Sequence, residues 1–369
     1  MIICHLTTVH ARYDARIFLK QCLSLSKKYS VFLLVADGKG DEKLKNVQIL
    51  DIGFFLGRKN RIFKAPRIIL DQALKTKADI YHIHDPELIP IGLKLQRSGR
   101  KVIFDAHEDF PKQILTKHYI PPFIRKFISK LAEIGERKFC SSFSGIAGAT
   151  PFIANKFSSI NKNVVNINNY PKIDELQIIE NPGRIANQVC YIGGVSVERG
   201  IKEVVEALTL TKNNVSLALA GKFHSAQLEQ DMSSKSGWEK TNFLGFLDRE
   251  EIKQLLSTTQ IGLVTLYPTV SYLDSLPVKL FEYMCAGIPV IASDFPLWRE
   301  IVLKHNCGLC VDPQNPAEIA KAIDYLIDHP EIAQQMGENG FKAVQTEFNW
   351  ANEESKLLNF YENIIGSKL

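Results

Sequence analysis

The segment from Asp274 to Asp294 holds the densest potential chemistry in the chain. Asp274-Ser275-Leu276-Pro277-Val278-Lys279 leads into an apolar helical run containing Glu282, and Gly287-Ile288-Pro289 ends that run before the branched and small residues Val290-Ile291-Ala292. Ser275 is expected to cap a helix whose first turn contains Pro277. A free helix N-terminus beside a loop attracts an anion, because its unpaired N–H groups and the helix dipole both favour negative charge. Ser275, Leu276, Pro277 and Val278 are therefore candidate phosphate contacts. Two turns on, Glu282 offers two carboxylate oxygens to a vicinal diol such as a ribose. Phosphate and ribose recognised by one element point to a nucleotide. An amphipathic helix with a solvated Glu would carry the same pattern, and this stretch alone does not separate the two.

A second group of chemical residues lies in the first half. Ile2–Leu6, Val31–Ala36, Val47–Leu50, Ile80–Ile83, Lys101–Phe104 and Gly145–Ala147 read as short buried strands, with helical stretches Arg16–Lys27, Ala65–Lys75 and Leu88–Arg97 between them. The second half repeats the alternation with strands near Gln188–Ile192, Ser216–Ala220, Phe243–Leu244, Ile261–Thr265, Val290–Ala292 and Gly308–Val311. This is the pattern of α/β domains built on parallel sheets. Two Rossmann-like domains are expected, residues 1–168 and 187–349. A linker over 169–186 is marked by Tyr170-Pro171 and Asn181-Pro182-Gly183, and a last helix in 350–369 is expected to pack back on the first domain.

Open parallel sheets bind ligands outside the carboxyl ends of their strands. That rule singles out His10 and Arg12 after the first strand, His84-Asp85 after Ile83, and His107-Glu108 after the strand beginning at Lys101. Asp85 and Glu108 could equally cap helices, and an isolated His107 could be a cap or a packing residue. His82 and His84 alternate along a strand and are expected on opposite faces. With no Asp-x-Asp or histidine-cluster ligand set evident, no metal is expected.

The Asp274–Glu282 spacing, followed by Ala-Gly-Ile-Pro-Val-Ile-Ala-Ser-Asp, resembles the E-x7-E element of retaining glycosyltransferases of family 4, which have the GT-B fold. Supporting matches run through Asp79–Glu108, Gly193–Gly200, Leu219–Gly221, Gly245–Asp248 and Phe348-Asn349-Trp350. The resemblance implies two Rossmann-like domains whose parallel sheets face a central cleft, with His107 and Asp274 as catalytic candidates. Glu282 would bind the ribose, Asp274 would lie near the donor sugar and phosphates with a shorter side chain than the usual Glu, and His107 would line the sugar pocket. Arg199 matches a Lys position, whereas Gly194 stands where an Arg is expected, so one cation is missing. Lys279, or backbone N–H groups around Ser275–Val278, are the candidates to compensate. Gly221, Lys222 and Phe246 would lie near the base. The implied donor is a nucleotide-diphosphate sugar, with UDP or GDP as carrier and no further cofactor, and the implied acceptor is a saccharide or lipid-linked saccharide. Retention would come from front-face attack, with the leaving phosphate accepting the acceptor's proton. A nucleotide-sugar 2-epimerase of similar shape and a catalytically silent nucleotide-sugar-binding subunit remain open. The dinucleotide fingerprint G-x-G-x-x-G is absent, which disfavours an oxidoreductase.

Composition adds the partner surface. The chain has 369 residues, 45% hydrophobic and 23% charged, enough for two domains and without an apolar run of membrane-spanning length. Met1 to Leu6 reads as a buried strand rather than a leader, so a cytoplasmic protein is expected. Seven scattered cysteines, Cys307 and Cys310 included, suit reduced thiols better than disulfides. Residues 1–170 hold 28 Lys and Arg against 14 Asp and Glu, whereas the whole chain carries only +5. The first half should therefore meet an anionic surface. Between Ile120 and Lys138, apolar residues recur at helical spacing with Arg125, Lys126 and Lys130 among them, and a second basic run contains Arg58, Lys59 and Arg61. Peripheral binding to the inner face of an anionic membrane is the expectation, against the alternative of a helix packed on its own sheet. No nucleic-acid-binding module is recognisable.

Overall fold

The computed structural model describes every residue except 118, 179–182 and 367–369, and Arg58 in its backbone only. It divides into two compact units, one formed by Met1–Asn169 with Ala351–Leu369 and the other by Tyr170–Trp350. In the first, β1 (Ile2–Leu6), β2 (Ser30–Val35), β3 (Glu42–Leu44), β4 (Val47–Asp51), β5 (Ile80–Ile83), β6 (Lys101–Ala106), β7 (Gly145–Gly148) and β8 (Val164–Asn166) form one sheet in the order β3-β4-β2-β1-β5-β6-β7-β8. Every pairing is parallel except β3 with β4. The two strands not foreseen, β3 and β8, are three-residue edge strands, too short to show a period.

Strand order reverses between β1 and β5, so the chain leaves the middle of the sheet in opposite directions and opens a crevice above the carboxyl ends of these two strands. The last helix, Trp350–Gly366, covers one face of this sheet with Leu357, Phe360, Tyr361 and Ile364 buried, and the Tyr361 hydroxyl lies 2.7 Å from His82 Nδ1.

Arg16–Lys27 departs from the expected α-helix. Ile17–Cys22 winds as a π-helix, with Gln21 N–H donating to Arg16 C=O at 3.0 Å, and only Leu23–Leu25 continue as α. The wider turn brings residues five apart onto one face, so Arg16 and Gln21 reach the same carboxylate below.

The second unit has a six-stranded, wholly parallel sheet in the order β11-β10-β9-β12-β13-β14, from β9 (Gln188–Ile192), β10 (Ser216–Ala220), β11 (Thr241–Gly245), β12 (Ile261–Val264), β13 (Val290–Ser293) and β14 (Gly308–Val311). Its switch point lies between β9 and β12. Apolar layers cover both faces, one around Phe281, Tyr283, Met284 and Trp298, the other around Tyr191, Val204, Leu217 and Ile323. Within the stretch read as a linker, Ile173–Leu176 make one helical turn, and Tyr170 and Leu176 are buried in this unit's core; the Asn181-Pro182 part of the expected turn lies outside the described residues. All seven cysteines are free thiols, and only Cys310 is less than fully buried.

Gly200 joins the 3-10 turn Val197–Arg199 to the helix Ile201–Leu210 at φ +68°, and a Cβ there would meet the Thr265 carbonyl oxygen at 1.9 Å. Gly287 has a similar φ of +66° but open space around it. Gly287→Ala should therefore cost only the left-handed backbone penalty, about 1 kcal/mol, and Gly200→Ala about 3 kcal/mol or more. Thermal unfolding of the two variants is the check, and equal losses would show that the Thr265 contact imposes nothing.

Candidate active site

In the first unit the site is built around one carboxylate. Asp105, at the end of β6, is fully buried. Arg16 grips it with two bonds, Nε to Oδ2 at 3.0 Å and Nη2 to Oδ1 at 2.6 Å, while its Nη1 donates to the Ile167 carbonyl at 2.6 Å. Gln21 Nε2 donates to Oδ2 at 2.8 Å; His84 Nδ1 lies 3.1 Å and His107 Nε2 2.9 Å from the same oxygen. Burial opposes charge on this carboxyl, but Arg16 and His107 hold it well below the usual carboxylate range.

Fixing that charge fixes the histidines. If His84 Nδ1–H and His107 Nε2–H both donate to Asp105, His84 Nε2 becomes the acceptor for His5 Nδ1, 2.8 Å away. His107 then keeps Nδ1 as an acceptor away from Asp105. Burial pushes His5 and His82 well below the usual imidazole value and His84 down to about 3, so the three are neutral at neutral pH. His10 behaves differently. Burial works against its charge, yet Asp14 at 3.2 Å and Asp85 at 3.6 Å raise it above the ordinary value, and its ring lies 4.9 Å from that of His107.

Three expectations are corrected here. His82 and His84 stack on the same face with ring centroids 4.6 Å apart, because residues two apart along a strand point the same way. Histidine clusters do exist: the ligand atoms of His5, His82 and His84 lie within 4.8 Å of one another, as do those of His84, Asp105 and His107. Both sets have the composition to hold a divalent ion, and here they bond among themselves and to Tyr361. Arg12 is not open to a ligand. It is 4% exposed and bonded to Asp37 at 2.7 and 2.8 Å, to Glu42 at 3.0 Å and to the Gly40 carbonyl, so it holds the loop after β2. Asp85 caps no helix by its side chain; it accepts from Thr8 N–H at 2.5 Å and from the Thr7 and Thr8 hydroxyls. Glu108 is exposed and bonded to Gln113, while Asp109 caps the helix Phe110–Leu115.

In the second unit, Gly193 and Gly194 leave β9 beside β12, and two cationic side chains border them. A Cβ on Gly193 would lie 3.5 Å from both Arg199 Nη1 and Lys279 Nζ. Lys279 is only 7% exposed, its Nζ has no hydrogen-bond partner, and it sits 3.4 Å from the centroid of the Tyr191 ring. Burial, then the nearby Arg199, pushes Lys279 well below the usual ammonium range. Arg199 Nε is likewise buried without a partner. Such a pair is costly unless an anion completes it.

Ser275 is not the helix cap. The helix runs Val278–Cys285 with Pro277 at its N-cap and no side-chain cap bond, because Ser275 Oγ turns back to the Tyr272 carbonyl at 2.9 Å, closing the one-turn helix Val270–Leu273. The half-buried run Ser275-Leu276-Pro277-Val278 is anchored by Trp298 Nε1, which donates to the Ser275 carbonyl at 2.7 Å, and Asp274, also half-buried, ends the one-turn helix. Glu282 is 7% exposed, and one of its oxygens accepts from Arg249 Nη1 at 2.6 Å. Arg249 was not foreseen, since it is brought in by the helix Arg249–Thr258, which carries no ligand pattern. Lys222 Nζ lies 5.0 Å from the centroid of the exposed Phe246 ring. Gly221 lies so near Gly193 that a Cβ would meet its carbonyl oxygen at 1.9 Å.

The helix Pro122–Cys140 is inverted relative to an ordinary surface helix. Phe123 is 86%, Phe127 61% and Leu131 52% exposed, whereas its buried residues are Ser129, Glu136 and Cys140. Arg125 is half-buried, Lys126 and Lys130 are exposed, and Lys130 pairs with Glu133 at 2.9 Å. Lys59 is exposed, Arg61 lies 3.4 Å from Glu87, and the Arg58 side chain is outside the described residues. No helix among the described residues is long and apolar enough to cross a membrane.

The neutral histidines set a pH dependence. An unfolded His takes up its proton near pH 6.5, whereas His5, His82 and His84 stay neutral when folded, so stability is full above that pH and falls below it. The slope is about 1.4 kcal/mol per pH unit for each group, or about 4 for three. His10, raised rather than lowered, acts only above that window. Denaturation of this unit at pH 7, 6 and 5 should show a falling midpoint, shallower in His82→Asn. A flat midpoint would mean that the imidazoles gain protons in the folded state.

Residues 174–343 match the family model described as Glycosyl transferases group 1. Alpha-D-kanosaminyltransferase of Streptomyces kanamyceticus is 24% identical over 180 residues, 48% of this chain and 45% of that protein, so the chain aligns with less than half the length of this relative. Sucrose-phosphate synthase from Thermosynechococcus elongatus superposes with a TM-score of 0.81 at 16% identity, covering 100% of both chains. Anabaena HepE, solved in complex with UDP-glucose, gives 0.74 at 15% identity over 98% of this chain and 100% of its own. Residues 174–343 thus match the model of a glycosyl transferases group 1 domain, in a chain with the GT-B fold.

Proposed function

We propose that the protein transfers a sugar from a nucleotide-diphosphate sugar, with UDP or GDP as carrier, to a saccharide or lipid-linked saccharide acceptor, retaining the anomeric configuration. The observation that carries this reading is the pair of buried cationic groups, Lys279 Nζ and Arg199 Nε, that lack hydrogen-bond partners beside Gly193 and Gly194. A diphosphate supplies the charge this pocket lacks, and its departure as a leaving group is the event such cations stabilise. Glu282, oriented by Arg249, keeps a second oxygen for a ribose hydroxyl. The cations occupy the place a metal would otherwise take on the phosphates, so the transfer is proposed to need none.

On the other unit, His107 is proposed to meet the sugar, with Asp105 as the residue that orients it. Asp274 is proposed to lie near the donor sugar, with a smaller contribution than Glu282. Lys279→Ala and Glu282→Ala should each weaken UDP or GDP binding about tenfold or more, a charge-assisted bond being worth roughly 1.5–3 kcal/mol. His107→Ala should keep nucleotide binding and lose turnover. NMR of the product should show the donor's anomeric configuration, and EDTA should leave the rate unchanged. An isomerised nucleotide sugar formed without acceptor would establish an epimerase instead, and nucleotide binding without any turnover a silent subunit.

We further propose that the helix Pro122–Cys140 seats the first unit on an anionic membrane, the inner face of a cell membrane being the site of action. Support comes from its exposed aromatic and aliphatic residues next to Arg125, Lys126 and Lys130, and from a second basic run, Arg58, Lys59 and Arg61, in the same unit. Binding to vesicles containing phosphatidylglycerol should weaken with salt and with charge reversal at Arg125, Lys126 and Lys130. It should also weaken in Phe123→Ser/Phe127→Ser, and retention unchanged in all three conditions would exclude this surface.

A further inference from the structure

Gly194 poses a question that its backbone does not answer. Gly193 and Gly200 beside it adopt positive φ angles of 110° and 68°, and each therefore has a conformational reason to be glycine. Gly194 does not; it is absent from the positive-φ residues, so an L side chain fits its backbone. What stands in the way is an imidazole. A Cβ on Gly194 would lie 3.0 Å from His224 Nε2, a tighter approach than a carbon normally makes, and 3.6 Å from Arg199 Nη1.

The position of His224 is set by the backbone. Val195 N–H donates to the Lys222 carbonyl at 2.9 Å and His224 N–H to the Val195 carbonyl at 3.0 Å, while Val195 and Phe223 form a parallel bridge. Gly193 N–H donates to the Ala220 carbonyl at 2.9 Å, and Gly221 tolerates no side chain against Gly193. The loops after β9 and β10 are thereby zipped together, and the His224 side chain is delivered over Gly194 rather than left on a free loop.

We infer that His224 is a third ligand of the donor's diphosphate, occupying the space over Gly194 that a side chain there would fill and completing a ring with Arg199 and Lys279. Its Nε2 donates an N–H when that nitrogen carries the proton, in the neutral Nε2–H tautomer or in the imidazolium, and it reaches the anion from the exposed side, whereas Lys279 reaches it from the buried side. This inference rests on the diphosphate reading of the pocket.

Calorimetric titration with UDP and with GDP tests it, using whichever binds wild type more tightly. The matching nucleoside, uridine or guanosine, serves as a control without phosphates. His224→Ala should weaken diphosphate binding about tenfold and leave nucleoside binding unchanged, and His224→Gln, which keeps a neutral donor, should fall between. Gly194→Arg alone should bind poorly, because the new side chain and the imidazole claim one space. Combined with His224→Ala, the same arginine should restore affinity to within about threefold of wild type. Wild-type affinity in His224→Ala, with affinity lost in Lys279→Ala, would overturn the role of His224 while leaving the diphosphate site standing. A wild-type protein that binds neither UDP nor GDP would overturn both.

Discussion

A carboxylate with no solvent contact can stay charged inside a parallel sheet only if every lone pair finds a donor, and Asp105 sets that condition for the first unit. Its partners come from far apart in the chain: Arg16 and Gln21 from the π-helix, His84 from the end of β5, His107 from the loop after β6. Removing any one would leave charge or donor capacity stranded in low dielectric, which costs several kcal/mol. The irregular helix, the neutral imidazoles and the close approach of Ile167 to Arg16 are all parts of one electrostatic solution. At its edge stands a half-buried imidazole, His107, whose Nε2 lies 2.9 Å from Asp105 Oδ2.

The second unit handles buried charge in the opposite way. At its own switch point, Lys279 and Arg199 are brought close without an acidic partner between them, and Glu282, the acid on the same helix as Lys279, is committed to Arg249. Burial drives Lys279 toward its neutral form, which lessens its repulsion from Arg199. Under the proposed function a diphosphate reverses that balance, because the ammonium regains its proton where the anion can share it. One unit has thus closed its charge balance within the fold and gained rigidity. The other has left Lys279 Nζ and Arg199 Nε without partners, which is the basis of the proposed diphosphate site.

How far the sequence discloses this depends on what sets each feature. The strands and the alternation of β and α were legible because a parallel strand buried on both faces must be apolar, as in Val290–Ser293 and Ile261–Val264. His107 and Glu282 could be singled out as candidates from a strand end and a recognisable helix, and Arg199 and Lys279 from the motif of the family that the chain resembles. The partners could not. Asp105, Arg16 and Gln21 converge through tertiary packing, and a π-turn leaves no period of its own in six residues. His5 and His82 did carry a signal, polar rings in otherwise apolar strands, but the cluster they form was missed once His82 and His84 were assigned to opposite faces. Ser275 misled for a local reason: a good capping residue lay one short helix too early, and its hydroxyl closed that helix instead.

The helix Pro122–Cys140 shows the limit of periodicity most sharply. Its apolar residues recur at helical spacing, as in any helix that packs on a core, yet the fold turns Ser129 and Glu136 inward and leaves the phenylalanines in water. The inward side is not an accident of packing. Ser129 Oγ donates to the Pro111 carbonyl at 2.7 Å, and Glu136 meets Lys156 at 2.6 Å, which in turn meets Asp109 at 2.9 Å, the cap of the preceding helix. Polar bonds of this kind fix the rotation of the helix about its axis more tightly than apolar contacts would, because misalignment by a few tens of degrees breaks them. The apolar stripe is therefore held outward by directional bonds on the opposite side, and an exposed aromatic face maintained in that way is what a membrane or partner surface requires.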